Sequence, residues 1–278
     1  MFERHSSKPS SAGRFFAAAS IAIASPVLAG FVTLNLTPKV NSNIRTYTGG
    51  TFYPLGGQTR DFAGVPFALA LLNGDANSFG VIQLPANNTL TTHSFSVNVF
   101  GATRVYTLIN SAWGSFGANN GKVEVFGSAG AYAKFDLIQG TNIRDHYQGS
   151  FQNVLTDPTV VTSKFNNDVL DRQVLVLPAA FRSQSITEFR FSGNGGNPNG
   201  TGAAFLAGAT FQNCPADLNN DGQVDDADFS IFVVAYNLLD CADPAMPAGC
   251  PADLNRDGVV DDADFSIFVV AYNDLICP

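Results

Sequence analysis

A mainly β chain, an antiparallel sandwich followed by a small helical unit, is what this sequence predicts. Three observations carry it: short period-two segments rich in Val, Phe, Thr and Tyr, no helical period lasting three turns between residues 30 and 212, and an acidic repeat near the C-terminus. The chain has 278 residues, room for one domain of about 180 residues and a small second one.

The first 29 residues, "MFERHSSKPSSAGRFFAAASIAIASPVLA", place Arg4, Lys8 and Arg14 before an apolar run and end on the small residues Val27 and Ala29. That layout is a secretory signal peptide cut after Ala29. The run is too short and too interrupted, by Ser20, Ser25 and Pro26, for the ~20 apolar residues of a membrane span. The expectation is an exported protein, secreted or on the cell surface, with no membrane insertion after cleavage.

Residues 30–212 carry the sandwich. "SFSVNVF" (94–100), "RVYTLIN" (104–110), "KVEVF" (122–126), "YAKFDLI" (132–138), "QVLVL" (173–177) and "ITEFRF" (186–191) alternate as strands with one buried face do. "PANN", "FGAT", "GANNG", "GSAG" and "GNGGNPNG" supply the turns. The last strand is "GAAFLAGATFQ" (202–212), giving about eight strands or more.

Residues 213–278 hold two repeats, 214–241 and 250–277, offset by 36 residues and joined by "ADPAMPAG". This tail has Arg256 alone against 13 Asp, whereas residues 30–213 have 11 Lys and Arg against 9 Asp and Glu. A segment so acidic repels nucleic acid. Four Phe and two Tyr among those carboxylates argue against a solvated disordered tail and for one folded around cations. In the first repeat Asp217, Asn219, Asp221, Gln223, Asp225 and Asp228 occupy positions 1, 3, 5, 7, 9 and 12 of a loop with Gly222 at 6; Asp253, Asn255, Asp257, Val259, Asp261 and Asp264 repeat the pattern around Gly258. Alternate oxygen donors, a backbone carbonyl at 7, a glycine at the bend and a carboxylate at 12 are EF-hand spacing, and six or seven oxygens suit Ca2+ better than the compact Mg2+. Two calcium ions are expected. An exit helix, Phe229 to Leu239, is apolar nearly all round and needs cover on two sides, one from the sister repeat and the other from the sandwich or a partner.

Asp stands at position 12 in place of the usual Glu, and "CPA" leaves no room for an entering helix. A duplicated loop with an exit helix near the C-terminus of an exported chain resembles the type I dockerin, over about 65 residues. The resemblance implies one calcium per repeat and a helix pair that binds a cohesin-type protein, tethering the chain to a scaffold. Positions 10 and 11, often Ser-Thr in cellulosomal dockerins, are here Asp226-Ala227 and Asp262-Ala263. The cysteines Cys214, Cys241, Cys250 and Cys277 suit an oxidising compartment. Three pairings are open, and repeat symmetry favours Cys214–Cys241 with Cys250–Cys277.

Four stretches of the sandwich, "DFAGVPFALA" (61–70), "VNVFGATRVYTLINSAWG" (97–114), "VEVFGSAGAYAKFDL" (123–137) and "GTNIRDHY" (140–147), resemble jelly-roll modules of the galactose-binding-like class found beside glycoside hydrolases. That resemblance implies sugar recognition, with "GTNIRDHY" as a loop at the sandwich rim. A sugar site needs an aromatic face and planar hydrogen-bonding groups. Trp113, the sole tryptophan, and the cluster Arg144, Asp145, His146 and Tyr147 are the candidates, with packing for Trp113 and an internal Arg–Asp pair as the alternatives. Catalysis has little footing. Glycosidases generally pair two carboxylates, whereas the two Glu here, Glu124 and Glu188, stand apart in separate strands, and Asp168 and Asp171 fall in a polar loop. The expectation is a non-catalytic exported protein with a carbohydrate-binding sandwich and a calcium-dependent attachment segment, linked to polysaccharide binding or degradation. A structural or surface-display protein that binds no sugar is the alternative, and a glycan-active hydrolase a weaker one.

Overall fold

The computed structural model describes residues 30–47, 52–85, 89–147, 154–193, 203–219, 221, 223–247, 249–255 and 257–274. The leader read as a signal peptide lies outside them. The architecture is mainly β. Strands β1 (Gly30–Thr33) and β2 (Ser42–Asn43), a four-residue helix α1 (Ile44–Tyr47), and β3 (Gln58–Phe62), β4 (Val65–Leu69) and β5 (Gly80–Gln83) come first. There follow β6 (Thr91–Phe100), β7 (Ala102–Ala112), β8 (Asn119–Gly127), β9 (Tyr132–Ile138), β10 (Val161–Phe165), β11 (Asp168–Val176), β12 (Ser185–Gly193) and β13 (Ala203–Asn213). Helices α2 (Asp226–Tyr236) and α3 (Asp262–Asp274) close the chain.

The strands form antiparallel sheets. A seven-stranded sheet runs β10-β11-β7-β13-β5-β2, with β1 also paired to β13. Because β7 pairs along nearly the whole of β13, β1 (at 210–213) and β5 (at 205–206) share its other edge. A four-stranded sheet runs β6-β12-β8-β9. Alternation decides which residues the two sheets press together: Val105, Ile109, Leu175, Leu206 and Phe211 from the large sheet meet Val99, Val123, Val125, Phe189 and Phe191 from the small one. Each fully buried Phe or Leu contributes about 1.5–3 kcal/mol relative to exposure.

The large sheet also buries its other face. Tyr106, Leu108, Leu170 and Phe205 pack against Tyr53, Phe62, Val65, Phe67 and Leu69, so the β3-β4 hairpin forms a third layer. Two features fix that layer. Thr210 Oγ1 donates to the Pro66 carbonyl at 2.6 Å, and a Cβ at Gly208 would meet Phe67 at 2.9 Å. A β7 or β13 buried on both faces loses clean alternation, and all eleven residues of β13 are buried.

Helix α2 starts three residues before the expected Phe229. Asp225 caps it, and Asp228 completes a capping box by returning to the Asp225 backbone. The two helices pack with reciprocal contacts at the 36-residue offset. Phe229–Phe268 and Phe232–Phe265 are both 5.9 Å apart, Phe229–Tyr272 and Tyr236–Phe265 are 6.4 and 6.3 Å, and Phe232–Phe268 sits at the centre at 5.0 Å. Tyr236 Oη donates to Asp262 and Tyr272 Oη to Asp226, each at 2.5 Å. The sister repeat therefore covers one stripe of each helix. Val233 and Val234 on α2 and Val270 on α3 stay exposed.

The symmetric cysteine pairing is not what the structure has. Cys241 bonds to Cys250, with Cα atoms 5.4 Å apart, so the bridge joins the two repeats across their linker instead of stapling one repeat to its own helix. The physical reason is the register after α2: Asp240 bridges to Val259, and Val260 and Cys241 exchange backbone bonds with Leu239 and Gly258, which carries Cys241 to the start of the second repeat. Cys214 is also disulfide-bonded, and Cys277 lies outside the described residues. No helix among the described residues is long and apolar enough to cross a membrane.

Candidate functional site

The two acidic loops fold alike, from side chain to backbone. In the first, Asp217 Oδ1 and Asn219 Oδ1 accept from the same donor, the Asp221 N–H, at 3.0 and 2.9 Å. In the second, Asp253 Oδ1 and Asn255 Oδ1 accept from the Asp257 N–H at 3.1 and 2.9 Å. Two oxygens on one N–H must lie close to each other, so loop positions 1 and 3 converge in both copies. Asp221 and Asp257 at position 5 turn back to accept from Gln223 and Val259 at 2.9 and 3.0 Å. Position 12 closes the ring. Asp228 takes the N–H groups of Asn219 and Asp225, and Asp264 those of Leu254, Asn255 and Asp261.

Asp228 and Asp264 are fully buried, and Asp217 is nearly so. Burial holds the Asp264 carboxyl above its ordinary value, opposed by its backbone hydrogen bonds. Uncompensated carboxylates gathered this way repel, and a cation among them reverses the sign. The donor set is all oxygen, which suits a hard divalent ion. Asp225 and Asp261, at position 9, accept instead from Ala227 and Ala263 at 2.8 Å and cap their helices, which leaves them to act on an ion through water. Cys241, Cys250 and Asp253 also lie close together. Their sulfurs are bonded to one another, so that trio is a disulfide beside a loop carboxylate.

The "NIRDHY" segment is not a rim loop. It lies in the large sheet where β7 and β11 part: Ser111 bridges to Asp145, and Tyr147 to Asp168. The Ser111 N–H donates to the Arg144 carbonyl at 2.8 Å, the His146 N–H donates to the Ser111 carbonyl at 2.9 Å, and the Val169 N–H reaches the His146 carbonyl at 2.8 Å. These bridges to β7 and β11 explain the burial of Arg144, Asp145 and His146. The internal pair for Arg144 is Asp171, which is on β11 and fully buried rather than in a polar loop. The guanidinium grips it by Nε and Nη2 at 2.8 and 2.9 Å, while Asn110 Nδ2 and Thr162 Oγ1 donate to it at 2.7 Å. Arg144→Lys keeps the charge and loses the fork, an expected cost of about 2 kcal/mol for one charge-assisted hydrogen bond, read by denaturant melting. Unchanged stability would mean that the fork is not what holds Asp171.

His146 Nδ1 is 3.2 Å from Tyr53 Oη and 3.6 Å from Asp168 Oδ1. Burial pushes His146 down to about 4; burial, with the Asp145 charge adding, pushes Asp168 up to about 6. Asp145 serves its neighbours. Its Oδ2 accepts from the Trp113 N–H and its Oδ1 from the Tyr147 N–H at 2.7 Å. The carboxylate thus fixes the backbone under the two rings of the candidate set that remain exposed, Trp113 (51%) and Tyr147 (38%).

Trp113 has φ +58°, a left-handed conformation that costs a bulky residue of order 1–3 kcal/mol and persists only when its surroundings impose it. Asp145 imposes it from one side. Ser111 Oγ, 2.8 Å from the Trp113 carbonyl, does so from the other. Gly114 follows at φ +131°, where a Cβ would strike the Gln139 side chain at 2.7 Å. The two glutamates each hold a cation: Glu124 pairs with Lys122 at 2.9 Å and Glu188 with Arg190 at 2.6 Å. Sequence reading placed Asp168 and Asp171 in a polar loop, whereas both are on β11, and it missed Tyr53, whose neighbours in the chain carry no motif.

No protein-family model matches the chain, and no curated protein matches it. Among solved structures it is similar to an apo Crh5 transglycosylase, at 13% identity over 67% of this chain and 85% of that one with a TM-score of 0.29. A likeness of that size carries no argument about fold or activity.

Proposed function

We propose that the chain is an exported, non-catalytic protein in which two calcium ions order a dockerin-like helix pair for attachment, and the sandwich, of jelly-roll type, binds carbohydrate. One observation carries the reading: two loops 36 residues apart build the same ring of oxygens, each closed by a buried aspartate at position 12. Asp217, Asn219, Asp221 and Asp228 with the Gln223 carbonyl hold one ion, and Asp253, Asn255, Asp257 and Asp264 with the Val259 carbonyl the other. Calcium supplies charge compensation, and the chain's own residues position the helices.

The face left for a cohesin-type partner is apolar. Val233, Val234 and Val270 stand exposed, and a 260 Å³ groove is lined by Asp226, Phe229, Phe265, Phe268, Val269 and Tyr272. Asp226 and Asp262, the residues at recognition position 10, are already held by Tyr272 and Tyr236. Docking would therefore rest on the valines and phenylalanines more than on those side chains. The cross-linked Cys241–Cys250 pair supports an oxidising, extracellular setting.

For the sandwich, the support is a tryptophan held in a strained conformation with its ring in solvent. The test is retention of the mature chain, residues 30–278, on a panel of immobilised polysaccharides. Retention on one or more is expected, and none on any would sink the sugar reading. Sustained release of reducing sugar, lost on changing a carboxylate, would overturn the non-catalytic one.

A further inference from the structure

At the end of the sandwich where β5 and β7 finish and β6 and β13 begin, a cleft of about 560 Å³ opens between the edges of the two sheets. That volume is within the range of small-ligand sites. Trp113 forms part of its wall, with Gln83, Pro85, Thr91 and His93 among the others. Asn41 and Ser42 complete the polar side. Asn41 is fixed, its Nδ2 donating to the Gln83 carbonyl at 3.0 Å and its Oδ1 accepting from the Gln83 N–H at 2.8 Å.

The Gln83 amide and the Ser42 hydroxyl take no hydrogen-bond partner among the described residues, so the cleft offers a planar donor-acceptor group and a hydroxyl near an aromatic wall. None of the described residues lining it is Asp, Glu, Lys or Arg. His93 does not add a charge, because burial, with Lys39 adding, holds its imidazole below the ordinary value and leaves it neutral at pH 7.

Resting on the carbohydrate reading above, we infer that this cleft is the ligand site of the sandwich and takes an uncharged saccharide, one pyranose ring lying on Trp113 and its hydroxyls on Gln83 and Ser42. An anionic sugar would find no cation among the described wall residues, Lys39 acting on His93 from outside that wall, and would lose its hydration without a direct partner. A cationic one would meet no carboxylate. An uncharged ring exchanges water for one stacked face and a few neutral hydrogen bonds, which is all that this wall offers.

The test uses the mature chain on immobilised neutral polysaccharides (a β-glucan, a galactan and a mannan) and anionic ones (alginate and polygalacturonate). Retention on at least one neutral polymer and on neither anionic polymer is expected. Trp113→Ala and Trp113→Gly should each weaken it at least tenfold. The glycine variant adopts a positive φ freely, so its loss of binding cannot be put down to backbone strain at that position, and a melting curve equal to that of the unmodified chain shows that it is folded. Gln83→Ala should weaken it about threefold, and Tyr132→Ala, on the small sheet away from the cleft, should leave it unchanged. Neutral-polymer binding that survives both Trp113 variants would refute the cleft and leave the sugar reading standing. Binding confined to alginate or polygalacturonate would refute the uncharged ligand. Retention on nothing would remove the sugar reading and this inference with it.

Discussion

Calcium added to the mature chain should raise the stability of the α2–α3 pair by about 5 kcal/mol once it exceeds its dissociation constant a hundredfold at both loops, since each site contributes about 2.7 kcal/mol by mass action. The geometry says why the effect belongs to these helices. Asp228 and Asp264 stand at once at the last loop position and in the first turn of α2 and α3. Their oxygens span the loop from position 3 to position 9. An ion at the loop centre therefore fixes the N-terminus of each helix. Through the Tyr236–Asp262 and Tyr272–Asp226 bonds it also fixes the far end of the other. Far-ultraviolet circular dichroism during a calcium titration, followed by melting in calcium and in chelator, reads both the ordering and the stabilisation. Asp217→Ala combined with Asp253→Ala should abolish the response. A titration without change, or a response that survives the double variant, would defeat the calcium assignment.

The sandwich was legible where alternation is clean and obscure where both faces are buried. Strand β9, with its solvent face, coincides with the segment read from sequence, 132–138. Strand β10 was missed because it has no buried residue to mark a face, and β5 because it is four residues long with three of them buried, too short a run to show a period. The likeness of the two loops was legible, because the same residue types recur at the same spacing and make the same turns. Disulfide pairing was not, since symmetry of sequence gives no information on which repeat's entrance lies beside which exit; the Asp240–Val259 bridge decides that. Arg144 was half legible. An internal acid was foreseeable, but Asp171 lies 27 residues away and meets it only because "NIRDHY" enters the sheet beside β7.

That same insertion sets up opposed titrations at His146 and Asp168. A carboxyl raised on folding contributes stability that is complete below its unfolded value and is lost as pH rises through its folded one, so Asp168, at about 6 against an ordinary 3.8, loses its contribution as pH climbs through 6. An imidazole lowered on folding behaves oppositely. His146, at about 4 against 6.5, contributes fully above 6.5 and loses that contribution as pH falls through 4. Each displacement corresponds to about 3 kcal/mol. Between about pH 4 and pH 6 the unfolded chain carries one proton on the imidazole and the folded chain one on the carboxyl, so the pair as a whole leaves stability level there. Single substitutions should unmask the two slopes. Relative to the unmodified chain, Asp168→Asn should gain about 3 kcal/mol as pH rises from 4 to 6, and His146→Gln should lose about 3 kcal/mol as pH rises from 4 to 6.5. Asp145 and Tyr53 face the pair in every variant, so their own contributions largely cancel in such differences. Denaturant melts at several pH values across that window measure both curves, and two difference curves of the same sign would show that His146 and Asp168 do not titrate as an opposed pair.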